Sequence, residues 1–255
     1  MSDKLFIIIP AYNEEANIAS VIEEWYPIVE KYNGDGHSRL VIVDDGSRDS
    51  TLRIATDEVR KREYLEVITK DNGGHGSSIY FGYQYALQEG ADYIFQTDSD
   101  GQTLASEFDA FWRERAGYDV IIGNRVSRGD GAVRKLVSGC VRTVVKMIFG
   151  VKAEDINTPY RLMEHDALER ALKYVPDEYN LTNIALTAIA LRLMKADVNA
   201  KSVDGVAPKR IRVKFMPITF KPRQGGKNSI NIRKIIVIGI KAISDLSKIA
   251  KSLNE

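Results

Sequence analysis

One cysteine in 255 residues, Cys140, excludes an internal disulfide and suits a reducing cytoplasm. No apolar run approaches the roughly 20 residues a helix needs to cross a bilayer. The stretch at residues 5–9 is too short for a signal-peptide core and meets Pro10, so no secretory leader is expected. Internal repeats and low-complexity segments are absent. The glycines at 73, 74 and 76 do not spell G-x-G-x-x-G and follow the third apolar run, not the first; no Gly-Lys-Ser/Thr follows a glycine loop either. These two absences argue against a dinucleotide-dependent oxidoreductase and a P-loop enzyme. The basic C-terminal fifth lacks the interleaved aromatics that stack on bases, which argues against a nucleic-acid partner.

What is present is a globular composition, 44% hydrophobic, enough for a sizeable core. A net charge of +1 conceals an asymmetry. Residues 206–255 hold 12 Lys/Arg against 2 Asp/Glu, and residues 1–205 hold 24 against 33. A basic last fifth on an acidic body suggests an anionic partner for that fifth.

Apolar, Ile- and Val-rich runs at 4–9, 40–43, 65–68 and 93–97 read as buried strands. Between them, stretches of helical spacing run to about 31, about 62 and about 87, the first capped by Asn13. This β-α-β-α-β-α-β order predicts an α/β fold with a mostly parallel sheet and helices on both faces. Ligands of such sheets bind at the carboxyl edge. The unusual groups gather in the turns of that edge: Tyr12, Asn13 and Glu14; Asp44 and Asp45; the glycine loop; and Asp98, Asp100 and Gln102.

The last of these turns is the most specific. Side chains two apart on a strand point the same way, so Asp98 and Asp100 can converge at its end. Gly101 permits a sharp turn, and Gln102 can return its carbonyl oxygen to the same point. Three oxygens there suit Mg²⁺ or Mn²⁺. A polar loop with Asp100 or Thr103 as helix cap is the competing account. An acidic edge repels a lone anion but accommodates a metal-bound nucleotide.

Pro10-Ala11-Tyr12-Asn13-Glu14, Val43-Asp44-Asp45-Gly46-Ser47, Asn72-Gly73-Gly74-His75-Gly76 and Thr97-Asp98-Ser99-Asp100-Gly101-Gln102 follow in this order. Together they resemble family 2 glycosyltransferases of the GT-A fold, over roughly residues 4–230. Within the family the chain most resembles dolichol-phosphate mannose synthases and bacterial polyprenyl-phosphate glycosyltransferases. The resemblance implies Pro10, Ala11, Tyr12, Glu14 and Asp45 around base and ribose, with Asp44 beside them. It implies a metal on Asp98, Asp100 and Gln102 that bridges the donor diphosphate. His75 stands where many relatives have Lys, and a neutral His contributes less to a diphosphate.

In the second half, helices are expected at 105–116, 133–149, 168–174, 181–195 and 232–253, with strands at 120–123 and 212–220. The resemblance implies that Arg125, Arg134 and Ser138 surround a lipid phosphate, an anion that the planar Arg fork suits. It places Asp155 and Arg161 near the scissile bond. Asp155 is then a general base or a positioning group; a structural ion pair with Arg161 is the plainer account. The basic loop at 221–229 is expected to close over the diphosphate, with Arg223 and Lys227 offsetting leaving-group charge. The C-terminal helix alternates Ile and Leu with Lys and Arg, as a packed helix or a basic amphipathic helix on an anionic membrane would.

The expectation is thus a GT-A domain at 1–230 with an amphipathic basic helix at 231–255. It is an inverting, metal-dependent enzyme that moves a hexose from a UDP- or GDP-sugar to a polyprenyl phosphate, cytoplasmic and at most peripheral on the membrane. The alternatives are a sugar-hydroxyl acceptor, which requires a base, or a nucleotide-sugar-binding protein without turnover.

Overall fold

The computed structural model describes residues 3–125, 132–195, 210–221 and 232–253. The first half alternates as expected: β1 (Leu5–Ala11), α1 (Ile18–Lys31), β2 (Arg39–Asp44), α2 (Thr51–Val59), β3 (Leu65–Thr69), α3 (His75–Gln88) and β4 (Tyr93–Gln96). A 3₁₀ turn (Ala105–Glu107) leads into α4 (Phe108–Glu114). Then follow β5 (Val120–Arg125), α5 (Ala132–Phe149), β6 (Arg161–Glu164), α6 (His165–Leu172), α7 (Thr182–Lys195), β7 (Val213–Ile218) and α8 (Ile232–Ser252).

The seven strands form one sheet in the order β3-β2-β1-β4-β6-β5-β7. All pairings are parallel except those of β6, which runs antiparallel to both β4 and β5. This strand is absent from the sequence-based expectation. Its four residues offer only Leu162 and Met163 as apolar side chains, too few to read as a strand. In the sheet the two face opposite ways, each into a separate core.

The two cores explain the unbroken apolar strands. Phe6, Ile8, Val41, Val43, Ile94 and Ile122 face the layer that includes α3, α5, α6 and α7. Leu5, Ile7, Ile9, Leu40, Ile42, Phe95 and Ile121 face α1 and α4. With both faces covered, both side chains of an alternating pair are apolar along most of these strands. Within α8, Leu246 and Ile249 are buried in the first of these cores, whereas Lys241, Lys248 and Lys251 are exposed. Among the described residues no helix is long and apolar enough to cross a membrane.

Two local boundaries differ from expectation for reasons that bear on the site. β1 continues through Pro10 to Ala11. Pro10 has the same parity as Ile8, whose carbonyl accepts from Thr97 at the end of β4, so the missing Pro N–H points past that ladder. Helix α1 starts at Ile18, not near Asn13. Asn13 sits at φ 54°, with its N–H on Ser47 Oγ (3.0 Å) and its Oδ1 accepting from Arg48 N–H (2.8 Å). Glu14 N–H donates to Thr51 Oγ1 (2.8 Å) and Glu15 N–H to Asp49 (3.2 Å). Asn13 is left-handed, and the Glu14 carbonyl accepts from Asn17 and Ile18 N–H, so a turn comes first and the helix begins at Ile18.

Candidate active site

The carboxyl ends of β1, β2, β3 and β4 surround a cleft of about 450 Å³. Its lining brings together Pro10, Ala11, Tyr12, Glu14, Asp45, Asp98 and Asp100 with Asn72, Gly74 and His75 of the glycine loop, all expected at this edge from the sequence, and adds Ser78 and Ser99. Gln102 and Asp44 are not in that lining. Tyr12 presents a 41% exposed ring at the cleft mouth.

The two adjacent carboxylates after β2 have different surroundings. Asp45 is 2% exposed and accepts from Lys70 Nζ (3.0 Å), Gly73 N–H (3.0 Å), Gly74 N–H (2.9 Å) and Asn72 Nδ2 (3.2 Å). Burial works to raise its pKa, but the donors on Gly73, Lys70, Ser78 and Gly74 outweigh burial and hold it below its ordinary value. The glycine loop is therefore folded around Asp45. Asp44 is 1% exposed. Its Oδ2 accepts from Ser47 N–H and Thr69 Oγ1, both at 3.2 Å, while its buried Oδ1 has no hydrogen-bond partner among the described residues. A buried carboxylate oxygen left unpaired is costly.

At the end of β4, Gln96 is buried, with Oε1 accepting from Tyr83 OH (2.9 Å) and Nε2 3.5 Å from Asp98 Oδ1. His75 Nε2 lies 3.5 Å from the same oxygen. Gly101, at φ 69°, makes the sharp turn expected of it. Asp100 Oδ1 accepts Gln102 N–H (3.1 Å), and the Gln102 side chain turns to Lys221, donating Nε2–H to its carbonyl (2.8 Å). Lys221 N–H returns a bond to the Gln102 carbonyl (2.7 Å). Among the described residues no cluster of three His, Cys, Asp or Glu is set to hold a metal. Two partly exposed carboxylates at one strand end fit a hard cation that completes its shell with a substrate's oxygens.

The β5 side of the edge carries the rest. Arg125, the last residue of β5, forms a bidentate pair with Asp155 (2.7 and 2.9 Å). Arg161 is 1% exposed. Its guanidinium is spent on the carbonyls of Thr158 (2.6 and 3.3 Å) and Asn183 (3.2 Å). Burial pushes its pKa down, against the field of Tyr83, Asp155 and Asp98. Arg161 thus braces the edge from beneath, and the plainer Asp155–Arg161 ion pair gives way to Asp155–Arg125. Ser138 is half-buried on α5. Arg134 belongs to α5 by its backbone, with its side chain outside the described residues, and Arg223 and Lys227 lie outside them altogether.

Sequence reasoning passed over Lys70, the Thr158 and Asn183 carbonyls, and Phe220, whose ring lies 5.0 Å from the Arg125 guanidinium, and named Asn72 only as part of the glycine loop. Only Lys70-Asp71-Asn72 carried a sign, polar residues packed against a glycine loop.

Several known proteins are similar to this chain. An undecaprenyl-phosphate 4-deoxy-4-formamido-L-arabinose transferase of Pseudomonas aeruginosa is 29% identical over 174 residues, 67% of this chain and 50% of that protein. A polyprenol monophosphomannose synthase of Mycolicibacterium smegmatis is 25% identical over 178 residues, 66% of this chain and 64% of that one. The chain spans between half and two thirds of the length of these relatives. Among solved structures, glucosyl-3-phosphoglycerate synthase from Mycobacterium tuberculosis in complex with Mn²⁺ and uridine-diphosphate-glucose superposes with a TM-score of 0.62 at 16% identity. The match covers 98% of this chain and 79% of that chain, and identifies the fold as GT-A. The model for glycosyl transferase family 2 matches residues 6–175, which include all four turns of the cleft, and the chain belongs to that family.

Proposed function

We propose that this chain moves a hexose, with inversion, from a nucleotide-diphosphate sugar to a polyprenyl phosphate, with a divalent cation on the turn after β4. The observation that carries this reading is the placement of Asp98 and Asp100 in one cleft with Tyr12, Glu14 and Asp45. That arrangement suits a nucleotide whose diphosphate arrives with a metal. The lipid-phosphate acceptor is supported by the relatives named for undecaprenyl-phosphate and polyprenol substrates.

In this reading Asp45, with Asp44 beside it, lies against the base and ribose, and Tyr12 covers the base. Pro10, Ala11 and Glu14 shape the floor. Asp98 and Asp100 hold Mg²⁺ or Mn²⁺. Gln102, whose Nε2 is engaged by Lys221, offers Oε1 as a third ligand. When bound, the cation neutralises charge that develops on the leaving diphosphate. Arg125, Arg134 and Ser138 receive the acceptor phosphate, and Arg223 and Lys227 are assigned to the diphosphate. An acceptor phosphate oxygen bonds to the anomeric carbon as the bond to the nucleoside diphosphate breaks and its electron pair leaves with that group. The protein's part is alignment and stabilisation of the leaving charge.

Transfer of radiolabelled sugar to polyprenyl phosphate, with and without EDTA, tests this. Chelation and Asp100→Ala are each expected to abolish transfer; activity that survives either overturns the metal assignment.

A further inference from the structure

Arg125, at the carboxyl end of β5, does not stand alone. Its Nε–H and one Nη2–H meet Asp155 Oδ2 and Oδ1 at 2.7 and 2.9 Å. Asp155 Oδ1 also accepts Asn157 N–H at 3.2 Å. The Asp155 side chain is 1% exposed, that of Arg125 14%. Phe220 lies over the guanidinium, 5.0 Å from its centre. Two of the five N–H donors are thereby spent and the plane of the fork is fixed from two sides. The Nη1 edge is left to meet another anion.

We propose that Asp155 is a positioning residue: it holds Arg125 in the orientation that receives an anionic acceptor, and it does not take a proton from that acceptor. The proposal rests on the phosphate-acceptor reading above. Both Asp155 oxygens already accept hydrogen bonds from Arg125, and the carboxylate is buried behind it. A general base must instead reach the proton it removes. A phosphate monoester acceptor also has no proton that needs removing.

Two effects oppose each other here. The Asp155 charge offsets that of Arg125, which weakens its long-range pull on an anion. The fork-to-fork pair removes the rotamer freedom of a long side chain before the acceptor arrives, which strengthens directed bonds to it. The burial of Asp155 and the Phe220 contact place orientation first. The sign of the effect of removing Asp155 decides between them.

The test uses the full chain with Mn²⁺ and UDP present, titrated calorimetrically with farnesyl phosphate. Asp155→Asn is expected to weaken binding about tenfold or more, the scale of a charge-assisted hydrogen bond. Arg125→Ala weakens it as well, and the double variant binds no worse than Arg125→Ala alone, because the positioning role reaches the acceptor through Arg125. Arg125→Lys, which keeps the charge without the fork, is expected to match Arg125→Ala, and it carries the test if Asp155→Asn does not fold. In ¹H–¹⁵N spectra, the Arg125 Nε–H is expected to exchange slowly in the wild type and rapidly in Asp155→Asn. Unchanged or tighter binding in Asp155→Asn, additive losses in the double variant, or wild-type binding by Arg125→Lys each overturn the proposal. A wild type that ignores farnesyl phosphate overturns the phosphate-acceptor reading instead, and the proposal with it.

Discussion

Gly76 shows why the loop after β3 needs glycine without invoking a ligand. A Cβ there would overlap the Tyr179 carbonyl oxygen and the Asn180 backbone, and neither is a side chain that could rotate away. Thr182 Oγ1 donates to the Gly76 carbonyl at 2.9 Å, so the start of α3 is held close against the segment that leads into α7. Gly76→Ala is expected to cost about 1–3 kcal/mol, read from the urea midpoint. At Asp45, the depressed pKa adds stability above the unfolded value and loses it as pH falls through the folded one. The wild-type urea midpoint is therefore expected to fall between pH 5 and pH 3, and Asp45→Asn to be less stable at pH 5 with a flatter pH dependence. That Asp45 belongs to the site was legible in a Val-Asp-Asp-Gly-Ser turn. Its work, organising donors 25 to 29 positions away, was not, because spacing along a chain does not show which loops meet. The same holds for Arg125 and Asp155, 30 residues apart.

At the scale of elements, the first half was legible because each strand is a saturated apolar run closed by a turn of unusual chemistry. The second half was less so. β6 has two apolar residues and a buried Arg, and only its neighbours β4 and β5 make it a strand. The start of α1 lies beyond Asn13 because Asn13 takes a left-handed conformation, tied to Ser47 and Arg48 of the turn after β2, which the spacing of apolar residues does not reveal. α8 combines both kinds of behaviour. Leu246 and Ile249 are buried against the core, so either change to Ala is expected to cost about 2–5 kcal/mol in urea unfolding. Its opposite side carries exposed Lys241, Lys248 and Lys251, and Met147 on α5 is 72% exposed. We propose that this surface meets anionic lipid. Each Lys near such a surface is worth about 1 kcal/mol before salt screening. Reversing all three to Glu should then remove sedimentation with phosphatidylglycerol vesicles at low salt while leaving the urea midpoint near its wild-type value. Equal sedimentation by the variant would count against membrane contact.

For the whole molecule, the proposed donor sets up a mismatch, since the edge is acidic and a nucleoside diphosphate is anionic. Glu14, Asp45, Asp98 and Asp100 line the cleft, Asp44 lies buried beside it, and the Lys70 ammonium is already paired with Asp45 at 3.0 Å. A nucleoside diphosphate brought here alone meets carboxylates in a partly desolvated cleft, where like charges repel more than in water. In the proposed reading, a divalent cation on Asp98 and Asp100 reverses the sign where the diphosphate is placed. Nucleotide and metal should therefore stabilise the fold together and not separately. With Mn²⁺ and UDP-glucose or GDP-mannose at about a hundred times the dissociation constant, the linkage gain is about 2.7 kcal/mol. In a domain of this size that corresponds to a rise in Tm of roughly 5–10 °C. With EDTA the same nucleotides are expected to leave Tm unchanged, and Asp100→Ala should lose the shift even with Mn²⁺ present. The nucleotide that gives the larger shift identifies the base. A full shift in EDTA would mean that the acidic edge binds the donor without a cation, and the charge argument for this cleft would fail.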